Sequence, residues 1–398
     1  MNREPSFGAA LFVFGRVGRL GLWRADVGET LACASGSYVA WAIVRGAIQL
    51  GMRALVLTRQ GSPVAPNVEF RTDWPDVGAP GAGQVRVRTL ASAFNHMDLW
   101  IGKGIGGLTL TYPRIGGCDA CGVVEAVGAG VDASWVGKRV IVNAATVAGG
   151  RSMPGDPPDS TLAPAFELIG EHSDGMHREA FLAPAANLAV VADDAEPAEA
   201  AAFGLVSLTA WSMLVTKAKL HAGQRVLITG IGGGVALAAM AICRHFGCPV
   251  AVTSRHAWKL EKAKALGAEL CVWDQGQDWS RDVRGWSGKR GVDVAVDSAG
   301  KATHLTCIKS LARGGAYVTP GCTSGPDATT DLARIFWNQL RILGSTMGDN
   351  NEFREVAALF RTGGVRVPVD RVYDAKDGRE AIGRLEAGEQ FGKIVLRW

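Results

Sequence analysis

Residues 225–236 read Arg-Val-Leu-Ile-Thr-Gly-Ile-Gly-Gly-Gly-Val-Ala, an apolar run that leads directly into a cluster of glycines. The pattern is typical of a buried strand, a glycine turn and the start of a helix. Such a turn lets backbone N–H groups approach a pyrophosphate, and the helix N-terminus favours its negative charge. The stretch therefore predicts a dinucleotide site, although a tight turn without a ligand has the same composition. The residues expected to line it are Gly230, Gly232, Gly233, Gly234 and Val235.

Strands and helices alternate around this stretch. Before it, residues 198–203 and 208–217 have helical patterns. The predicted strands are 225–229, 249–253, 292–297 and 316–318, and the helices between them are 235–246, 259–266 and 303–311. Alternation of this kind favours a parallel sheet with right-handed crossovers.

The flanking regions are rich in β-structure. Strands are predicted at 85–89, 121–127 and 139–143, while residues 144–164 have the Gly, Pro, Ser and Asp content of an irregular loop. After residue 343 the chain returns to short strands and one helix, and residues 393–397 form a last strand.

Composition limits the class of protein. The chain has 398 residues, enough for two or three domains, and 42 basic against 38 acidic residues give a net charge of +4. Such an even balance predicts no binding of nucleic acid or of an anionic membrane surface. Eight scattered cysteines indicate reduced thiols, so a cytoplasmic location is expected.

The first 51 residues fit no strand–helix pattern. They are Arg-rich, without lysine, and contain the elements of a signal peptide in the wrong order; a transit peptide remains an alternative. Since Met52 opens a strand-like run, residues 1–51 are predicted to be a dispensable extension outside the fold.

Motifs spread from residue 52 to the end of the sequence resemble those of the medium-chain dehydrogenase/reductase superfamily, in particular its quinone-oxidoreductase-like, so-called zinc-binding dehydrogenases. They are Asn95-His-Met-Asp98, residues 116–128 (GGCDACGVVEAVG), 200–203 (AAAF), 208–211 (LTAW), the glycine loop, 259–268 (KLEKAKALGA), 291–294 (GVDV) and 391–395 (FGKIV). The resemblance implies an α/β protein: a GroES-like β-barrel catalytic domain, residues 52–193 and 344–398, around a doubly wound dinucleotide-binding (Rossmann) domain, residues 194–343.

The residues after the second predicted strand favour NADPH. NAD sites usually place an acid about 20 residues after the glycine loop, and here no acid occurs between Gly230 and Glu261. Ser254 and Arg255 can instead bind a 2′-phosphate, with Lys259 one helical turn further on. The alternative is that both cations are simply solvated at a helix start.

Zinc is not expected. The resemblance puts Asn95 at the position of the family's first zinc-ligating Cys and Cys118-Asp119 at that of its His-Glu pair. Residues 144–164, where the relatives carry a structural zinc site, contain no cysteine. Cys118 and Cys121 form one CxxC pair, which is half a site, and His172 and His177 are the nearest other ligand types.

Without a Lewis acid, reduction of an activated C=C or a quinone is easier than oxidation of an alcohol. Asn95 is predicted to orient substrate or nicotinamide, and His96 and Tyr112 are alternative proton donors. The resemblance implies that the cofactor also contacts Thr209, Gly321, Thr323, Ser345 and Met347. An alcohol dehydrogenase and a non-catalytic NADPH-binding protein remain alternative functions, and the substrate and any homo-oligomer stay open.

Overall fold

The computed structural model describes residues 12–16, 38–42, 51–148 and 159–398. The chain divides into two units, residues 1–50 and 51–398. In the first, strands β1 (Phe12–Arg16) and β2 (Tyr38–Ala42) pair antiparallel. The predicted extension of residues 1–51 lies for the most part outside the described residues.

The second unit contains the remaining elements. Its strands are β3 (Met52–Leu57), β4 (Val68–Trp74), β5 (Gln84–Ala93), β6 (Arg114–Ile115), β7 (Ala120–Val127), β8 (Arg139–Val142), β9 (Ala145–Val147), β10 (Phe166–Leu168), β11 (Ala180–Pro184), β12 (Leu188–Val190), β13 (Val226–Ile228), β14 (Val250–Ser254), β15 (Leu270–Trp273), β16 (Val292–Val296), β17 (Leu311–Thr319), β18 (Arg341–Gly344), β19 (Val369–Asp374) and β20 (Lys393–Arg397). Its α-helices are α1 (His96–Lys103), α2 (Pro197–Trp211), α3 (Gly234–His245), α4 (Ala257–Ala265), α5 (Ser280–Trp286), α6 (His304–Ser310), α7 (Leu332–Asn338), α8 (Asn350–Arg361) and α9 (Gly378–Glu386).

A six-stranded parallel sheet forms the dinucleotide-binding part. Its strand order is β15-β14-β13-β16-β17-β18, the order of a doubly wound fold. The middle strands β13 and β14 are buried along their whole length, because helices cover both faces of such a sheet. The predicted parallel sheet and doubly wound fold are therefore confirmed.

The GroES-like part is built around a second sheet. Its order is β12-β8-β7-β5-β20-β19, with β11 also paired to β5, and β4-β3-β6 form a smaller sheet beside it. Strand β20 lies between β5, to which it is antiparallel, and β19, to which it is parallel. The late segment of the chain thus completes a sheet that the early segment begins.

Helix α2 corrects one prediction. Instead of two helices separated near Gly204, a single helix runs from Pro197 to Trp211 and continues as a π-helix to Lys217. Gly204 lowers helix propensity, but a Cβ there would lie 2.5 Å from Oδ1 of Asp119, so packing requires glycine. The span 197–217 is long and apolar enough to cross a membrane, yet its most apolar window is 83% buried inside the protein, which marks it as a core helix.

Other local predictions were incomplete. The segment expected to be an irregular loop contains β9, which pairs with β10; residues 149–158 lie outside the described part of the chain. Strand β15 and helix α5 were not predicted, because the strand is only four residues long and charged residues interrupt the apolar pattern of the helix. Strand β18 begins before the predicted return to catalytic-domain strands and belongs to the parallel sheet.

Candidate active site

The glycine loop leaves open space on one side and packs tightly on the other. Gly230 and Gly232 have φ of 62° and 111°, which favours glycine. A Cβ at Gly230 would meet nothing within 4 Å, and one at Gly233 only the Gly230 carbonyl oxygen at 3.7 Å. A Cβ at Gly234 would instead lie 2.8 Å from Cγ1 of Val206. Val235 follows in the first turn of α3. The loop therefore has the open cradle and helix N-terminus that suit the pyrophosphate of a dinucleotide.

The residues expected to contact a 2′-phosphate divide into two groups. Ser254 ends β14, where its Oγ accepts a hydrogen bond from the backbone of His256 at 3.2 Å, and Arg255 is exposed beside it. Lys259 is buried, its Nζ donates to the Gly388 carbonyl oxygen at 2.7 Å, and burial lowers its pKa. Ser254 and Arg255 are therefore adjacent at the end of β14, whereas the Lys259 ammonium is bonded to Gly388 and its stem lies beside Gly232 of the glycine loop.

Two of the residues expected near the nicotinamide meet in the protein. Oγ1 of Thr209, on α2, lies 3.8 Å from Sδ of Met347, which follows β18 and has a φ of 53°. Ser345 is also buried, and its Oγ has no hydrogen-bond partner among the described residues. A buried hydroxyl without a partner is costly, so this one is available to a ligand.

The loop after β17 faces the catalytic part of the unit. A Cβ at Gly321 would lie 3.3 Å from Cη2 of Trp100 on α1. Thr323 is turned toward its own domain, where its Oγ1 donates to the Ser298 carbonyl oxygen at 3.3 Å. Helix α1 and the loop after β17 are thus in contact where the two parts of the unit meet.

Asn95, Asp119 and Lys393 form a buried cluster, here called the Lys393 cluster. Nζ of Lys393 lies 2.5 Å from Oδ1 of Asn95 and 2.8 Å from Oδ2 of Asp119. Nδ2 of Asn95 donates to the same Asp119 oxygen at 2.9 Å, and Oδ1 of Asp119 accepts the Leu205 N–H at 2.6 Å. The ammonium fixes the orientation of the Asn95 amide, since only its oxygen can face a cation. Both ends of the amide are bound to protein, so the cluster holds Asn95 in a fixed orientation.

The same cluster tests whether zinc fits. Two of the positions that the resemblance gives to zinc ligands, Asn95 and Asp119, are bound to the Lys393 ammonium. Burial raises the pKa of Cys118 well above its ordinary value, and Asp98 and Asp119 add to the effect, so the thiol stays protonated. Burial also raises the pKa of Cys121 to about 12. A catalytic zinc ion would have to displace the Lys393 ammonium from Asn95 and Asp119, so the described residues do not fit one.

The two nearby histidines are bound elsewhere. Nδ1 of His172 accepts the Leu168 N–H at 3.1 Å, and Nδ1 of His177 lies 2.8 Å from Oγ of Ser92. Within residues 51–148 and 159–398, no group of three or more His, Cys, Asp or Glu is placed to hold a metal.

Asp98 holds the backbone segments that carry Asn95 and Asp119 of the Lys393 cluster. Its carboxylate accepts the backbone N–H groups of Asn95 and Gly117, both at 2.8 Å, and Nε2 of His177 lies 3.4 Å away. Burial raises the pKa of Asp98, but His177 and the two N–H groups outweigh it, and the net result is a lowered pKa. Asp98 is therefore an ionised capping group at the start of α1.

The two expected proton donors differ in availability. His96 is exposed at the first turn of α1, with its ring edge-on to Trp100 at 5.2 Å. Surrounding protein atoms, and to a smaller degree Lys103, lower the pKa of His96. The Tyr112 hydroxyl donates to the Ile101 carbonyl oxygen at 2.5 Å. Tyr112 is therefore bonded to the backbone in this structure, whereas the His96 ring is exposed.

Lys393 and Asp119 were not predicted to be site residues. The FGKIV motif at 391–395 and the Cys118-Asp119 pair were the available signals, but they were interpreted only as marks of resemblance and of missing zinc ligands. The glycine loop on a doubly wound sheet, together with a buried polar cluster in the same unit, is typical of an oxidoreductase of the dinucleotide-binding class.

Comparison with known proteins agrees with this class. Residues 234–362 match the family described as zinc-binding dehydrogenase, and residues 81–193 match the alcohol dehydrogenase GroES-like domain. The chain belongs to the medium-chain dehydrogenase/reductase superfamily, in its zinc-binding dehydrogenase branch.

Individual relatives cover most of the chain. A zinc-type alcohol dehydrogenase-like protein, YogA, of Leptosphaeria maculans is 29% identical over 80% of this chain and 91% of its own. A crystal structure of an NAD-dependent alcohol dehydrogenase is 36% identical, with a TM-score of 0.80, over 87% of this chain and 100% of that one. The crotonyl-CoA carboxylase/reductase AntE, solved with NADP, is 22% identical with a TM-score of 0.79, over 87% of this chain and 95% of its own, and shares the fold.

Proposed function

We propose that this protein is an NADPH-dependent oxidoreductase that reduces a carbonyl-activated C=C bond or a quinone without a metal. The observation that carries the proposal is the Lys393 ammonium, 2.5 and 2.8 Å from Asn95 and Asp119. A cation that is already neutralised and buried there cannot bind an alkoxide as a zinc ion does. The chemistry supported best is therefore one that needs no Lewis acid.

The bound dinucleotide would supply a hydride to the electrophilic carbon of the acceptor. Negative charge then builds on the conjugated carbonyl oxygen, which hydrogen-bond donors of the cleft can stabilise. His96 is the exposed titratable side chain at the start of α1, beside Trp100, whose ring lies against Gly321. We assign it the delivery of the proton that completes the reduction.

Replacing His96 by Gln is expected to lower kcat by about 100-fold, the lower end of what a positioned proton donor contributes. Because its pKa is lowered from the usual 6.5, the rate of the wild-type enzyme should rise as the pH falls through a value below 6.5. The His96→Gln variant should lack this rise. Tyr112→Phe is the matched control and should change kcat less than about threefold, because its hydroxyl already binds Ile101. Equal losses in both variants would contradict the assignment.

The preference for NADPH is proposed to depend on Arg255. It is exposed beside Ser254, and no carboxylate of the described residues forms an ion pair with it. A charge-assisted bond to the 2′-phosphate contributes about 1.5–3 kcal/mol before desolvation.

Arg255→Ala should weaken NADPH binding by about tenfold or more and leave NADH binding nearly unchanged. Fluorescence titration with both dinucleotides measures this, and Lys259→Ala tests the other cation. Since Lys259 is bonded to Gly388, we expect its removal to affect both dinucleotides alike. An equal loss of NADH and NADPH in Arg255→Ala would show that Arg255 does not contact the phosphate.

An alcohol dehydrogenase is the second candidate function, favoured by the 36% identical structure described as NAD-dependent. Oxidation of NADPH and NADH with a panel of quinones, enones and aldehydes, and the reverse reaction with alcohols, separates the two. We expect the protein to turn over quinones or enones at a rate that chelators do not change. Elemental analysis of the purified protein should find no stoichiometric zinc. Robust oxidation of unactivated alcohols alone would overturn it, and dinucleotide binding without any turnover would favour a binding protein.

A further inference from the structure

The segment that links the two parts of the site is Phe391-Gly392-Lys393. The Gly392 N–H donates to the carbonyl oxygen of Gly232, in the glycine loop, at 3.0 Å. Gly392 has a φ of 119°, and a Cβ there would lie 2.3 Å from the Pro368 carbonyl oxygen, so no other residue fits. The backbone of this segment is therefore joined to the loop proposed to hold the pyrophosphate.

The side chain of Lys393 extends the same link to the catalytic part. Its stem passes close to the first residue of α3, since a Cβ at Gly234 would lie 2.9 Å from Cδ of Lys393. Its Nζ then binds Asn95 and Asp119, while only 3% of the side chain is exposed. Asn95 directly precedes His96 and caps α1. Lys393 thus contacts both Gly234, at the start of α3, and Asn95, the N-cap of α1.

We propose that Lys393 is a positioning residue that couples occupancy of the glycine loop to the placement of Asn95 and His96. A dinucleotide that settles on the loop restrains Gly232 and Gly234, and through Gly392 and the Lys393 stem this restraint reaches α1. The inference rests on the proposed function, because it takes the ligand of the loop to be a dinucleotide.

A purely structural ion pair would have the same contacts, so the test must keep the fold while breaking the link. Lys393→Met alone leaves a buried unpaired carboxylate, and Asp119→Asn alone leaves a buried unpaired ammonium; each should be strongly destabilising. The double variant Lys393→Met/Asp119→Asn removes both charges and keeps a stem of similar length. Its unfolding midpoint should recover most of the loss.

The readout of coupling is amide hydrogen exchange with and without dinucleotide, using whichever of NADPH and NADH binds the wild-type protein more tightly. In the wild-type protein, binding should slow exchange both in the glycine loop and in α1, residues 96–103. In the double variant, protection should remain in the glycine loop and be lost in α1. Its dinucleotide dissociation constant should change by less than about threefold, while kcat falls by at least about tenfold.

A second, more exposed ion pair in the same unit provides a control for the paired substitution itself. Nζ of Lys309 lies 2.8 Å from Oδ2 of Asp278, the separation found in the Lys393–Asp119 pair. The variant Lys309→Met/Asp278→Asn should keep both the protection of α1 and kcat. If the Lys393 double variant keeps them as well, Lys393 is only a structural ion pair. A wild-type protein that binds neither dinucleotide would overturn the proposed function together with the coupling.

Discussion

A Gly233→Val variant should fold with nearly wild-type stability and bind a nicotinamide dinucleotide at least about 100-fold more weakly. Gly233 has an extended backbone, with φ of −79° and ψ of 154°, which valine adopts readily. A Cβ there meets only the Gly230 carbonyl oxygen at 3.7 Å, so the protein leaves room at the point where the side chain begins. The space is available to a ligand, and a branched side chain in it would prevent the close approach of a pyrophosphate to the backbone.

Stability and affinity must be measured together for this variant. Valine is a poorer N-cap than glycine, which lowers stability, whereas valine also reduces the entropy of the unfolded chain, which raises it. The two effects oppose one another and leave a net change in the free energy of unfolding within about 1 kcal/mol. Gly285→Val is the control, because Gly285 is exposed on α5 of the same domain and a Cβ there meets nothing within 4 Å. It should change neither quantity appreciably. Undiminished binding by Gly233→Val would show that the loop is only a turn.

Asp98→Ala should lower the free energy of unfolding by about 3 kcal/mol or more. The substitution leaves the N–H groups of Asn95 and Gly117 buried without an acceptor, at about 1–3 kcal/mol each. It also removes the negative charge beside His177. Denaturant unfolding of the variant and the wild-type protein at neutral pH measures the difference.

The pH dependence of that difference provides a second check. The folded-state pKa of Asp98 is lowered, so its contribution to stability is fully present above the unfolded value of about 3.9 and is lost as the pH falls through the folded pKa. The difference in the free energy of unfolding between the wild-type protein and Asp98→Ala should therefore become smaller at acid pH. A difference in the free energy of unfolding that is small at pH 7, or that stays constant down to acid pH, would mean that Asp98 is not an ionised cap.

The sequence allowed the fold to be predicted because its signals are local. The apolar run and glycines of residues 225–236, and the alternation that follows, each depend on residues close together in the chain. Helix α2 was predicted as two pieces for the opposite reason. The need for glycine at 204 comes from Asp119, a residue distant in sequence that no periodicity in residues 198–217 records.

The site was predictable only in part, for a related reason. Ser254 and Arg255 follow a strand that the pattern locates, so their place at its end could be predicted. The roles of Asn95 and Lys259 depend on partners elsewhere: Lys393 binds Asn95 from 298 positions away, and Gly388 binds Lys259. Whether an amide faces substrate or a buried cation is decided by tertiary packing, which the motif does not contain.

The position of β20 also has a consequence for the order of folding. The parallel sheet joins strands that are close in sequence, whereas β20 inserts between β19 and a strand that begins at residue 84. Contacts between such distant segments form slowly, because a long loop must be closed before they stabilise anything. The dinucleotide-binding half can acquire its structure early, but the Lys393 cluster forms only when β20 enters its sheet. A partly folded chain can therefore contain the parallel sheet before Asn95 and Asp119 have acquired Lys393 as their partner.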